Sequence, residues 1–168
     1  MKKQDNLIYN LATSALNRVA SEKPEETKAI FRKLYNESFE LGDRIKTFSK
    51  DVDQLIEQIN PLLNGNQDER ATSVYLTFMY PDKYTFYKDS YYSKYCDLLK
   101  IKKANAQSKY VHYLNLIEDL KEKYIKDDDE LLKLTNQTLP ESAWKDENFN
   151  ILAQDKLNIF PQMSTLKI

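Results

Sequence analysis

Only two glycines, Gly42 and Gly65, occur in the 168 residues. Average usage would give about a dozen. A phosphate-binding loop needs glycines so that backbone amides can approach the phosphates closely. Neither GxxxxGK[ST] nor GxGxxG can be written around two glycines so far apart. The chain therefore carries no Walker-type or Rossmann nucleotide site and needs no such cofactor. A β-sandwich, which spends glycines on its many turns, is disfavoured for the same reason.

The hydrophobic spacing is helical almost throughout. Leu7, Ile8, Leu11, Ala15, Leu16 and Val19 form one stripe, and Pro24 with Glu25 and Glu26 opens a second helix bearing Ile30, Phe31, Leu34 and Tyr35. Leu41, Ile45, Phe48, Val52, Leu55 and Ile59 recur at heptad-like steps, and Pro61 stops that helix. This seam is read as core, with the seat of a partner helix as its alternative. Asn66 and Glu69 fit a capping box before Ala71, Val74, Tyr75 and Phe78. Tyr91, Tyr95, Leu98 and Leu99 mark a further helix. Asn105 caps one carrying Tyr110, Tyr113, Leu114, Ile117, Leu120 and Tyr124. A short helix holds Leu131, Leu132 and Leu134, and a last one holds Phe149, Leu152, Ala153, Leu157 and Phe160 before Pro161 ends it. A short extended piece near Tyr84–Tyr87 is weakly signalled. The expectation is a mainly α, multi-helix fold of seven or eight helices with little or no sheet. Residues 1–168 read as a single helical domain, with 1–37 a possible helical appendage.

Folding a chain of this size buries roughly 70% of the unfolded surface, so no staple is required. Cys96 is alone and cannot make an internal disulfide. No apolar run spans a membrane, and MKKQDNLIYN has no apolar leader core, which points to a cytoplasmic protein. The C-terminal Met163-Ser164-Thr165-Leu166-Lys167-Ile168 reads either as a frayed end or as the point where a longer protein was cut.

Catalytic and metal chemistry find little footing. His112 and Cys96 are the only residues of their kinds, and nothing local activates the thiol. One of each cannot fill a tetrahedral metal site. Asp127-Asp128-Asp129-Glu130 lacks the glycine and ligand spacing of an EF-hand and fits a helix start. No catalytic or metal residue is expected.

Charge is more informative. The net charge is −1, yet Lys83 to Lys109 holds seven lysines against Asp89 and Asp97. Glu118 to Glu130 reverses this, with seven acids against three lysines. The basic segment is interleaved with aromatics. Lysines neutralise phosphates, and exposed rings stack on unpaired bases. Lys83, Lys88, Lys94, Lys102 and Lys103 are thus candidate DNA-phosphate contacts, with Tyr84, Tyr87 and Tyr92 the rings expected at that surface. The alternative is a solvated lysine face over core tyrosines. The absence of arginine from this stretch argues against reading guanine edges.

Several motifs together carry a resemblance. They are Gly42-Asp43-Arg44-Ile45-Lys46-Thr47-Phe48, then Gln67-Asp68-Glu69-Arg70-Ala71-Thr72. There follow Tyr75-Leu76-Thr77-Phe78-Met79-Tyr80-Pro81-Asp82-Lys83-Tyr84-Thr85-Phe86-Tyr87-Lys88, Leu139-Pro140-Glu141 and Phe149-Asn150-Ile151-Leu152-Ala153-Gln154-Asp155. Their order and spacing, over roughly residues 41–160, resemble the region preceding the AAA+ motor in McrB-like restriction ATPases and GTPases. The resemblance implies a non-catalytic N-terminal recognition or adaptor module of a longer protein, whose remaining part carries the nucleotide site and forms a ring. It implies DNA as ligand, modified DNA in the better-known members, and a nuclease partner that cuts. The alternative is a protein-interaction module docking the motor, the nuclease or another copy of itself.

Overall fold

The computed structural model describes residue 8 and residues 10–163, with the side chains of 158 and 160–163 excepted. Leu7, the N-terminal stretch read as leaderless, the ring of Phe160 and the run Ser164–Ile168 lie outside the described residues. Eight helices appear among those described, in the order α1 (Asn10–Glu22), α2 (Pro24–Leu34), α3 (Leu41–Ile59), α4 (Glu69–Met79), α5 (Asp89–Leu99), α6 (Lys109–Tyr124), α7 (Asp129–Thr138) and α8 (Asn150–Met163). The fold is mainly α, and 67% helical, with no strand among the described residues. The segment around Tyr84–Tyr87 is irregular and forms no strand.

α1, α2 and α3 pack on one another, α5 and α6 each pack on α8, and α4 packs on α6. One apolar cluster runs through all of this. Ala15 and Val19 of α1 and Ile30 and Leu34 of α2 join it, so residues within the stretch 1–37 share the core of the rest. The α3 seam is core: Ile45, Phe48, Val52, Leu55 and Ile56 are buried, with Leu41 and Ile59 packed at its ends. Phe31, Phe48 and Tyr75 meet edge-on or tilted, with ring centroids 5.1–5.7 Å apart. Such contacts add about 0.5–1.5 kcal/mol beyond the area they bury. Several stripe residues face outward instead, Leu11 and Phe78 the most. Leu11 and Phe78 are about 70% exposed, at 70% and 71%.

Helix starts differ from the sequence reading in instructive ways. Asp68, not Asn66, caps α4, accepting from Ala71 N at 2.9 Å. Asn66 is left-handed (φ 53°), and its amide is held by Asn64 Oδ1. Glu69 leaves its own helix end and accepts from Tyr110 N at 2.9 Å, so α4 caps α6. α6 accordingly begins at Lys109 and not at Asn105. Asp146 caps α8, accepting from Asn150 N and Leu152 N, both at 2.9 Å. Pro161 does not end α8, which runs to Met163. Its fixed φ is helical, and so near the end it removes a single bond.

The glycines do not serve the left-handed positions. Asn66, Lys100, Gln107 and Phe149 have positive φ and no glycine does. Lys100 closes α5 in the manner of a Schellman turn, with Ile101 N donating to Cys96 O at 2.8 Å. Gly65 instead permits a close approach. A Cβ there would sit 2.5 Å from Asp53 Oδ1, which accepts from Gly65 N at 2.9 Å. A Cβ on Gly42 meets nothing within 4 Å. Gly42→Ala and Lys100→Gly should each raise stability by about 0.5–1 kcal/mol. Gly65→Ala should lower it by about 1–3 kcal/mol. Urea unfolding midpoints of the three variants check the opposite signs.

Candidate interaction surfaces

The connection Tyr80–Lys88 is irregular chain that turns at the surface at Asp82 and Lys83 and is buried at Tyr84, Thr85 and Tyr87, and buried backbone polar groups must find partners. Side chains from three other elements supply them. Tyr110 Oη donates to Thr85 O at 2.9 Å and Tyr113 Oη to Phe86 O at 3.2 Å. Phe86 N donates to Gln154 Oε1 and Tyr87 N to Ser73 Oγ. Asn150 and Asn148 donate to Pro81 O and Asp82 O.

This arrangement corrects the expected surface. Tyr84, Tyr87 and Tyr92 are buried, not exposed, at 7%, 4% and 0%. Tyr84 Oη accepts from buried Arg44 at 2.8 Å and donates to Glu37 at 3.0 Å. Arg44 also donates to Leu34 O at 2.9 Å. Tyr87 packs among Tyr92, Tyr110 and Tyr113 and donates to Asp89. Tyr92 Oη accepts from Ala104 N at 2.7 Å and lies 2.8 Å from His112 Nδ1. No base can stack on these rings without unfolding what surrounds them. The hydroxyl partners of Tyr84 and Tyr92 lie 12 to 47 residues away, which ring spacing alone does not reveal.

Most lysines of the basic segment are already engaged. Lys83 pairs with Glu37, whose carboxyl is held below its usual range chiefly by that ammonium. Lys103 pairs with Asp97 at 2.9 Å and Lys109 with Asp89 at 2.7 Å. Lys88 lies over the Tyr91 ring, 4.7 Å from its centre. Lys94 in the middle of α5, and Lys100 and Lys102 just beyond its end, are exposed, without a carboxylate partner among the described residues. Cys96 is buried, and burial pushes its thiol pKa up, which disfavours the nucleophilic thiolate. Among the described residues no group of His, Cys, Asp or Glu is arranged to hold a metal ion. Nor is any helix among them long and apolar enough to cross a membrane.

Two recesses stand out. The larger, about 890 Å³, lies between α3 and the start of α4. Its walls mix Lys46, Lys50 and Arg70 with Asp53, Glu57 and Asp89, so neither sign dominates. Smaller than a recess of about 610 Å³ that Trp144 and Asp146 help line, the second, about 380 Å³, opens between α5, α6, α7 and α8. Tyr95, Leu98, Leu99, Leu120, Tyr124, Ile125 and Leu131 form its apolar lining, with Asp128 and Lys156 its two charged residues. Leu98, Leu99 and Tyr124 fit core stripes by spacing, yet they are 42%, 48% and 68% exposed. This site is not among those singled out from the sequence. Its only signal was a surplus of apolar residues at the ends of two neighbouring helices.

No family model, curated protein or solved structure matches this chain.

Burial raises the phenol pKa of Tyr75 to about 12, and pushes those of Tyr87, Tyr110 and Tyr113 upward as well. A folded pKa above the unfolded value of about 10 means the native state holds its proton more tightly. Stability is then fully present below pH 10 and declines as pH rises further. The expected slope is up to about 1.4 kcal/mol per pH unit for each fully buried tyrosine. Denaturant titrations between pH 8 and 12 check this, with phenolate absorbance of the buried rings appearing only on unfolding.

Proposed function

We propose that this chain is a non-catalytic, helical protein-interaction module that docks a partner through the apolar recess between α5, α6, α7 and α8. The observation that supports this is the exposure of Leu98, Leu99 and Tyr124 around an unfilled apolar hollow. Apolar side chains of that size, grouped at one opening, mark interaction sites more often than scattered exposure does. The McrB-like resemblance supplies the setting: an AAA+ restriction protein in which the module engages the motor, the nuclease partner or a second copy. Nucleotide hydrolysis then belongs to the motor, and the module contributes none.

DNA is the second reading, favoured by Lys94, Lys100 and Lys102, which have no carboxylate partner among the described residues. Without ring stacking, such binding is confined to phosphates and falls steeply with salt. One comparison separates the two. The chain, Leu99→Asp and the double variant Lys94→Glu/Lys102→Glu are tested with a fluorescent apolar dye and with labelled DNA at low and moderate salt. The interaction reading expects dye binding that Leu99→Asp weakens at least tenfold, and no DNA affinity at moderate salt. DNA binding that survives moderate salt, drops in the lysine variant and ignores Leu99→Asp sinks it.

A further inference from the structure

The recess has an uneven electrostatic rim. At the end of α6, Lys121 pairs with Glu118 at 2.6 Å, Lys123 with Asp119 at 3.0 Å, and Lys126 with Glu122. Those lysines are therefore offset within their own helix. The next four residues, Asp127, Asp128, Asp129 and Glu130, have no lysine or arginine partner among the described residues. Asp127, Asp128 and Asp129 line a small adjoining hollow with Tyr124 and with Lys123, whose charge is met by Asp119; this hollow shares Tyr124 and Asp128 with the recess. Asp128 caps α7, accepting from Leu131 N at 2.9 Å, while the carboxylates of Asp127 and Asp129 are not so engaged. Lys156, on α8, is the one cation lining the recess.

Backbone chemistry narrows the occupant. Among the described residues there is no strand whose edge could pair with an extended peptide. An extended segment laid on Leu98, Leu99 and Leu131 would leave its own amides and carbonyls facing apolar walls, at a cost of about 1–3 kcal/mol for each unmet group. A helix satisfies those groups internally and presents anchors every third or fourth residue. A cavity of about 150 Å³ takes one benzene-sized group. A recess of about 380 Å³ accordingly admits about two large anchors.

Resting on the interaction reading above, we infer that the recess binds an amphipathic helix of a partner protein whose leucine-sized or aromatic anchors enter beside Leu98, Leu99 and Tyr124, and whose flanking lysines or arginines face Asp127 and Asp129. Charge complementarity of this kind steers encounter and fixes orientation, and it weakens with salt. The carboxylates select a basic flank, and Lys156 disfavours a cation on the α8 side.

Two labelled synthetic peptides of about 18 residues test this, long enough to reach helix on binding. They share leucines at i, i+3, i+4 and i+7 and differ only in carrying lysine or glutamate elsewhere. Fluorescence anisotropy with the whole chain is measured at about 50 and 300 mM salt. The lysine peptide should bind at least tenfold more tightly at low salt. Asp127→Asn/Asp129→Asn should remove that preference, and leave α7 capped because Asp128 is untouched. Leu99→Asp and Tyr124→Ala, both at exposed positions, should weaken both peptides while unfolding midpoints stay unchanged. Equal binding of the two peptides, lost in Leu99→Asp, overturns the basic partner and leaves a docking module. A lysine preference that persists in the Asn variant also overturns it. If neither peptide binds, the helix proposal fails; dye uptake then assigns the recess to a small apolar molecule, and its absence removes the interaction reading as well.

Discussion

The irregular chain between α4 and α5 enters the interior at Tyr84–Tyr87, and side chains of α4, α6 and α8 keep its backbone paired. Helices satisfy their own amides and carbonyls. This stretch does so only in the turn at Tyr80–Tyr84, and each group left unmet costs about as much as a whole cavity-forming substitution at a mild site. Tyr110 and Tyr113 from α6, Ser73 from α4, and Asn150 and Gln154 from α8 each reach in to meet it. That requirement explains why residues 110 and 113 are tyrosines. A phenylalanine would fill the same volume and leave a carbonyl unpaired.

The same requirement reshapes the surface. Rings that by count alone look available to a ligand are spent on internal bonds, and the lysines between them project outward against Glu37, Asp89 and Asp97. The segment thus resembles a nucleic-acid surface in composition and a braced connection in structure. What remains unspent is apolar: the ends of α5 and α6 stop short of covering each other, and α7 contributes no fully buried residue to close the gap.

Helix number and the α3 seam were legible because periodicity reports which face is apolar, and Leu41 to Ile59 repeats long enough to be unambiguous. Caps were less so. Glu69 three residues after Asn66 satisfies a local rule, but its carboxylate meets Tyr110 on another helix, and no local pattern encodes a partner 41 residues away. Burial of Tyr84, Tyr87 and Tyr92 escaped for a related reason: a tyrosine is apolar along its ring and polar at its tip, so alternation with lysine fits either environment. The recess escaped because Leu98, Leu99 and Tyr124 keep core spacing; exposure there reflects an absent neighbour, which a single chain's pattern does not record. Pro81-Asp82-Lys83-Tyr84 falls within the braced connection, where Asn150 and Asn148 hold the Pro81 and Asp82 carbonyls and Lys83 pairs with Glu37.

The bracing also sets an order of assembly. Pro81 and Phe86 find partners on Asn150 and Gln154, nearly 70 residues downstream. A nascent chain emerging from a ribosome can form α1, α2 and α3 and bury their shared seam early, since those contacts are close in sequence. It cannot finish the connection after α4 until α8 has emerged. Until then an apolar, half-paired segment is exposed to chaperones and proteases, and any chain interrupted before residue 150 carries that liability permanently.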